Sequence, residues 1–187
     1  MSRIIVIQFT SLDGVVHDPD GAERSAHGGW AFRHGPQAVA GDKFRLGELL
    51  DTGALLLGRK TWKKFAGLWP TRDDDFSRQM NAIPKLVASR TLDDVSAWSN
   101  STLLCGELVE EAAERKAHRD LVVAGSASVA HALMEADMVD EYRLLVFPTV
   151  VGDGTRLFEP RRASANLDMV SAQAAGPAAL LVYSRPA

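Results

Sequence analysis

A change of rhythm near residue 140 restricts the fold of this chain more than any other feature. Before it, short apolar runs alternate with helical patterns; after it, apolar runs follow one another with no helical pattern between them. Residues 4–9 are apolar with little alternation, as in a central strand covered on both faces. Residues 54–57, 85–88, 102–105 and 121–124 read as further strands. Helices are expected over residues 39–50, over one or two turns at 61–65, over 107–118 and over 126–136. The third would group Leu108, Val109, Ala112 and Ala113 on one side, and the last would turn Val129, Ala130, Leu133 and Met134 inward. Residues 142–147, 169–172 and 180–183 complete the pattern as strands. Such an order predicts an α/β chain: a mixed, mostly parallel central sheet with helices on both faces and an antiparallel C-terminal edge.

At roughly 150 residues per domain, 187 residues amount to about one domain, and no repeat or linker divides residues 1–187. The break between Gly152 and Gly154 is too short to separate two domains. Twenty-one Lys and Arg against 24 Asp and Glu leave a net charge of −3, so no basic footprint for nucleic acid is present. The opening MSRIIVIQFT is too short in apolar residues for a secretion signal, and no apolar run approaches a membrane span. A cytoplasmic protein is therefore expected, with no membrane partner. Cys105 has no second cysteine to pair with; in its apolar run it reads as a buried structural thiol. His17, His27, His34, His118 and His131 show neither an HExxH spacing nor cysteine partners, so no metal site is expected. The three acids at 73–75 read as a solvated loop, and the four tryptophans as core or loop packing.

Four segments could carry chemistry. In LLLGRKTW, residues 55–62, a buried strand stops at Gly58 and two cations and a hydroxyl follow where a helix would begin. Free N–H groups, a positive helix end, Arg59, Lys60 and Thr61 would together suit a phosphate; an ordinary strand-to-helix turn with solvated cations has the same spacing. In LVVAGSASVAHAL, residues 121–133, a strand runs through Gly125 into a helix that Ser126 or Ser128 could cap. That start could receive a pyrophosphate or be a plain capped helix. VASRTL, residues 87–92, delivers Ser89 and Arg90 to a strand end, where Arg offers a planar fork for a phosphate monoester or a solvated turn. SLDG, residues 11–14, places Asp13 after the first strand, as a substrate-binding or proton-transferring acid or as the start of a turn. Residues 18–35 form a Gly-rich, His-containing loop whose length points to function, and it is expected to close over a site.

Taken in order, SLDG, LLLGRKTW, VASRTL, the AGS turn and VDEYRLLVFPTVVGDGTRLF resemble the dihydrofolate reductase-like family. The branch they resemble most contains the C-terminal reductase domain of the bifunctional riboflavin-biosynthesis deaminase-reductase. The resemblance implies a single domain of that fold and an oxidoreductase that uses NADPH. By that resemblance Gly58, Arg59, Lys60 and Thr61 bind the cofactor, Ser89 and Arg90 approach its 2′-phosphate, and Gly125, Ser126, Ala127 and Ser128 receive the pyrophosphate. Asp13 is the expected catalytic residue. Phe9, Asp13, Gly152 and Gly154 are the expected substrate-side residues, in a stretch that continues from Pro148 to Leu157 and Phe158. The chain departs from the family by carrying Gly-Ser at 125–126 where many members have Gly-Gly. It also lacks the Pro-Trp run and the helix acid that folate reductases place on the pterin, and it contains no deaminase zinc motif.

The expected function is hydride transfer from NADPH to a small heterocyclic or carbonyl substrate, with Asp13 orienting the substrate or helping to deliver a proton. A non-catalytic NADP(H)-binding sensor or dimeric module is the alternative, and a true dihydrofolate reductase a third. A homodimer is expected, with the apolar run 144–151 and the strand-only tail supplying the edge that a second copy covers.

Overall fold

The computed structural model describes residues 2–159 and 165–186. They fall into two compact units, one of residues 1–6 and 46–139, the other of residues 7–45 and 140–187. The first strand, β1 (Ile4–Ser11), passes from one to the other.

In the first unit, β2 (Ala54–Gly58), β3 (Lys85–Ala88), β4 (Ser101–Leu103) and β5 (Leu121–Ala124) pair in parallel, in the order β4-β3-β2-β5. Every residue of β2 and of β5 is buried, which explains why these strands read as unbroken apolar runs. Gly58 lies opposite Ala88, and Leu56 opposite Val123, so three strands end at the same level. The helices are α1 (Leu49–Thr52), α2 (Arg59–Leu68), α3 (Asp75–Ala82), α4 (Leu108–Lys116) and α5 (Ala127–Glu135). Helix α3 starts where a solvated acidic loop was expected. The Asp74 carboxylate accepts from the Ser77 N–H at 3.0 Å and from its hydroxyl at 2.5 Å, so the acid run is a helix cap.

The second unit is antiparallel. Strands β6 (Glu141–Phe147), β7 (Asp168–Ala175) and β8 (Ala178–Ser184) pair from Glu141 opposite Ser184 to Ala175 opposite Ala178. Gly176, at φ +67°, opens the two-residue turn between β7 and β8, as primed hairpin turns require. The core of this unit is Trp30, Ala31, Ala38, Leu145, Phe147, Ala178 and Leu180, with Phe9, Val39, Phe44 and Val151 packed on it. Through β1 the strand order is β4-β3-β2-β5-β1-β6-β8-β7, an α/β sheet with a parallel run and an antiparallel edge, as expected.

Other expectations give way. Residues 39–50 are not a helix; only Leu49 and Leu50 join α1, and a 3-10 turn at Pro36–Ala38 precedes the stretch. Gly41, Arg45 and Gly47 have φ of +72°, +50° and +51°, which a right-handed helix cannot contain. Cys105 is exposed rather than buried, because β4 ends at Leu103 and the thiol lies beyond the covered strand. Ala113 is exposed as well, since α4 buries only Ala112 fully. The helix expected at 61–65 is longer and begins directly at Arg59.

Candidate functional site

Within the first unit, the ends of β3, β2 and β5 bring the predicted cofactor segments together. Gly58 occupies the cap position of α2 and Ser126 that of α5, and neither helix receives a side-chain cap. The buried Ser126 hydroxyl points elsewhere: it accepts from the Gly58 N–H at 2.9 Å and donates to the Ala124 carbonyl at 3.3 Å. Ser128 is exposed in the first turn. The expected serine cap of α5 is thus replaced by a tie between two strand ends. A second tie runs from the Thr61 hydroxyl to the Gly125 carbonyl at 3.3 Å. Gly125 adopts φ +62°, and a Cβ on Gly58 would meet Val129 Cγ2 at 3.4 Å. Two helix N-termini are held side by side by these contacts.

Their electrostatics are unusual for helix starts. Helix α4 carries Glu110 and Glu111 in its first turn and α3 carries Asp75, matching the positive end of the helix dipole. Helices α2 and α5 have no acid there, and α2 begins with exposed Arg59 and Lys60. A cation in that position opposes the dipole by roughly 0.3–1 kcal/mol, and an anion reverses the sign. Arg59 and Arg90 engage no hydrogen bond or ion pair among the described residues. Ser89 accepts from the N–H groups of Thr91 and Leu92 at 3.2 and 3.0 Å, so its oxygen shapes the turn that presents Arg90. Strand β2 leads on to β3 at one side while β5 lies at the other, so the loops part company at Gly58, the kind of crevice where open α/β sheets bind ligands.

The second unit holds the other predicted residues. Asp13 follows β1, and its carboxylate accepts from the Ser11 hydroxyl at 2.6 Å, the Val151 N–H at 3.0 Å and the Gly152 N–H at 2.8 Å. Arg156 adds an ion pair at 3.5 Å and donates to the Asp13 carbonyl at 3.0 Å. The Ser11 hydroxyl first, and then the Val151 N–H, hold the Asp13 carboxyl well below the usual range. The Asp13 carboxylate is thus held ionised and clamps the 149–156 stretch. Gly152 has φ +86°; at Gly154, φ is +117° and a Cβ would lie 3.2 Å from atoms of Val15 and His17. Phe9 is half-buried, stacked on Phe44 at 5.4 Å and edge-on to Phe147 at 5.5 Å.

The 18–35 loop, expected from sequence to close over a site, is packed and bonded to itself. Buried Asp18 accepts from the Glu23 N–H, the Ser25 N–H and the Ser25 hydroxyl, each at 2.9 Å, and Gly28 leaves room for that carboxylate. Trp30, 1% exposed, donates to the His17 carbonyl at 2.9 Å. One residue that sequence reasoning passed over stands out: His34 Nε2 lies 2.9 Å from Thr149 Oγ1, with its ring against Phe147. The only signal for it was a histidine in a long glycine-rich loop. An open hollow of about 640 Å³ lined by Thr52, Lys116, His118, Arg119 and Asp120 includes none of the predicted site residues.

Residues 2–181 match the family described as the RibD C-terminal domain. A Bacillus subtilis protein of uncharacterised function, YyaP, is 27% identical over 129 residues, 65% of this chain and 66% of that one. Among solved structures, a putative riboflavin biosynthesis protein from a Shewanella species is similar with a TM-score of 0.75 and 22% identity, covering 99% of each chain. A pyrimidine reductase-like protein from Corynebacterium diphtheriae has a TM-score of 0.61 and 12% identity over 100% of this chain and 92% of that one. The deaminase/5-amino-6-(5-phosphoribosylamino)uracil reductase of Thermotoga maritima also reaches 0.61 at 12% identity; there this chain spans 57% of the longer protein. These likenesses bear out the dihydrofolate reductase-like fold expected from the motifs.

Proposed function

The chain belongs to the RibD C-terminal domain family, and from that premise we propose that it is an NADPH-dependent reductase acting on a small heterocyclic or carbonyl substrate. The observation that carries the reading is the pair of uncapped, acid-free helix starts at Gly58 and Ser126, tied together beside Arg59 and Arg90. Backbone donors, two positive helix ends and unengaged guanidiniums fit a dinucleotide bearing an extra phosphate. Gly125, Ser126, Ala127 and Ser128 would hold the pyrophosphate, Gly58 to Thr61 would flank it, and Arg90, presented by Ser89, would take the 2′-phosphate. When bound, NADPH supplies the hydride; the residues of the chain supply orientation and charge. In the second unit, Asp13 would hold the Gly152–Gly154 turn in place for the substrate, with Phe9 as an apolar contact.

Mixing the protein with NADPH should quench or shift nicotinamide fluorescence, and one of a panel of dihydropterin, aminouracil and 1,4-naphthoquinone should support NADPH oxidation. Absence of binding would refute the reading. Binding without turnover would favour the alternative, a non-catalytic NADP(H)-binding module, which the fully engaged Asp13 carboxylate also suits. Tight methotrexate binding would instead point to a folate reductase.

We further propose a cytoplasmic homodimer. No described helix is long and apolar enough to cross a membrane. The run 144–147 lies within β6, whose Leu145 and Phe147 are fully buried, so the edge offered to a second copy is β7, the last strand of the order.

A further inference from the structure

Adding a hydride to a C=O or C=N bond leaves an electron pair on the heteroatom, and that pair needs a proton. Asp13 cannot provide it, being held ionised by three donors and Arg156. Ser11 is spent too: its hydroxyl donates to Asp13 and accepts from the Val15 N–H at 2.9 Å. At the same end of the second unit, joined to it by the Leu12 N–H to Thr149 carbonyl bond at 2.8 Å, sits the His34–Thr149 pair. Thr149 Oγ1 has no bond other than the one to His34, and His34 Nδ1 has none, among the described residues. This pair keeps hydrogen-bonding capacity in reserve, and imidazole is the side chain whose ordinary pKa lies near neutrality.

Resting on the reductase reading above, we propose that His34 and Thr149 form the proton-delivery pair for the reduced substrate. The Thr149 O–H bond breaks as its proton moves to the substrate's oxygen or nitrogen, and the hydroxyl is restored by the proton leaving His34 Nε2. His34 then regains a proton from solvent. Thr149 is the catalytic residue of the pair, and His34 acts through it. Arg33, beside His34 in the 3-10 turn Phe32–His34, directs its guanidinium to the Gly28 carbonyl at 3.0 Å. From β6 the Phe147 ring packs against the imidazole, and the 149–156 stretch carries the Arg156–Asp13 ion pair.

The test compares wild type, His34→Gln, Thr149→Val and Thr149→Ser in NADPH oxidation with the fastest acceptor among a dihydropterin, an aminouracil and 1,4-naphthoquinone, from pH 5.5 to 9. Loss of a general acid should lower kcat by roughly 100-fold or more in His34→Gln and Thr149→Val. Thr149→Ser should keep it, and the wild-type fall in kcat at alkaline pH should vanish in His34→Gln. The dissociation constant for NADPH, read by fluorescence, should stay within about twofold in all four, which also reports that each variant is folded. Full kcat and an unchanged pH profile in His34→Gln would overturn the proposal and leave the reductase reading standing. Loss of kcat in Thr149→Val without rescue by serine would also overturn it. A wild type that binds NADPH but oxidises none with any acceptor would overturn both.

Discussion

Arg90 is exposed and unengaged at the end of a strand otherwise closed to solvent, which is where a residue kept for a ligand would stand. A hydrogen bond to a charged group contributes about 1.5–3 kcal/mol, so Arg90→Ala should weaken NADPH by roughly 10–100-fold. NADH, which lacks the 2′-phosphate, should lose almost nothing. Arg59→Ala should follow the same pattern, and titrating both cofactors against both variants decides it; equal losses for the two cofactors would place the arginines on the shared pyrophosphate. Lys85 makes a different kind of statement. It is fully buried on β3, donating to the Asn81 and Ser99 carbonyls at 2.6 and 3.0 Å, with Nζ 4.3 Å above the Trp98 ring. Burial pulls its pKa down to about 8 from 10.5. Between those values the unfolded chain holds the extra proton, so stability rises with pH across that window. Relative to Lys85→Met, wild type should gain roughly 2 kcal/mol between pH 7 and 10 in urea unfolding. A difference independent of pH would show that the ammonium reaches water.

At the scale of elements, the Ser126 hydroxyl is one of the links between β2–α2 and β5–α5. Removing it in Ser126→Ala leaves the buried Gly58 N–H without a partner, at about 1–3 kcal/mol. Urea denaturation should show that loss, and NADPH affinity should fall with it because the two helix starts are no longer held in register. A variant with unchanged stability would mean that water replaces the hydroxyl. The same comparison explains why strands were easier to read than helix starts. β2, β3 and β5 are apolar because both of their faces are covered, and that is visible in one dimension. Whether a serine caps its own helix or reaches 68 residues back to Gly58 depends on which strands are neighbours, and spacing does not carry that. Residues 39–50 failed for a related reason: their apolar spacing suits a helix, but Gly41 and Gly47 with Arg45 turn the chain instead.

For the whole molecule, β7 is the exposed margin. It bonds to β8 on one side, and Met169 and Val170 are 61% and 59% exposed. A row of unpaired backbone groups beside exposed apolar side chains invites a second strand. Wild type should therefore scatter light as a dimer of about twice 20.3 kDa at micromolar concentration. Val170→Lys, which places charge on that edge, should shift it to a monomer without loss of NADPH binding. A wild-type mass near 20 kDa would end the proposal.

The sequence alone determined the order of the strands and the helices α4 and α5, because covered strands and amphipathic helices leave a periodic trace in the residues themselves. It also placed Gly58, Arg59, Arg90 and Gly125 at strand ends, since a glycine or a cation closing an apolar run is a local event. Partnership was decided only by the tertiary structure. Asp13 reads as an acid that orients a substrate or helps to deliver a proton, and the fold gives its carboxylate the N–H groups of Val151 and Gly152 from 138 and 139 residues away. His34 carried no motif and acquired a partner 115 residues distant. Cys105 looked covered and lies in the open. A side chain's chemistry is written in its own residue; its protonation, its hydrogen bonds and its burial belong to neighbours that only the folded chain supplies.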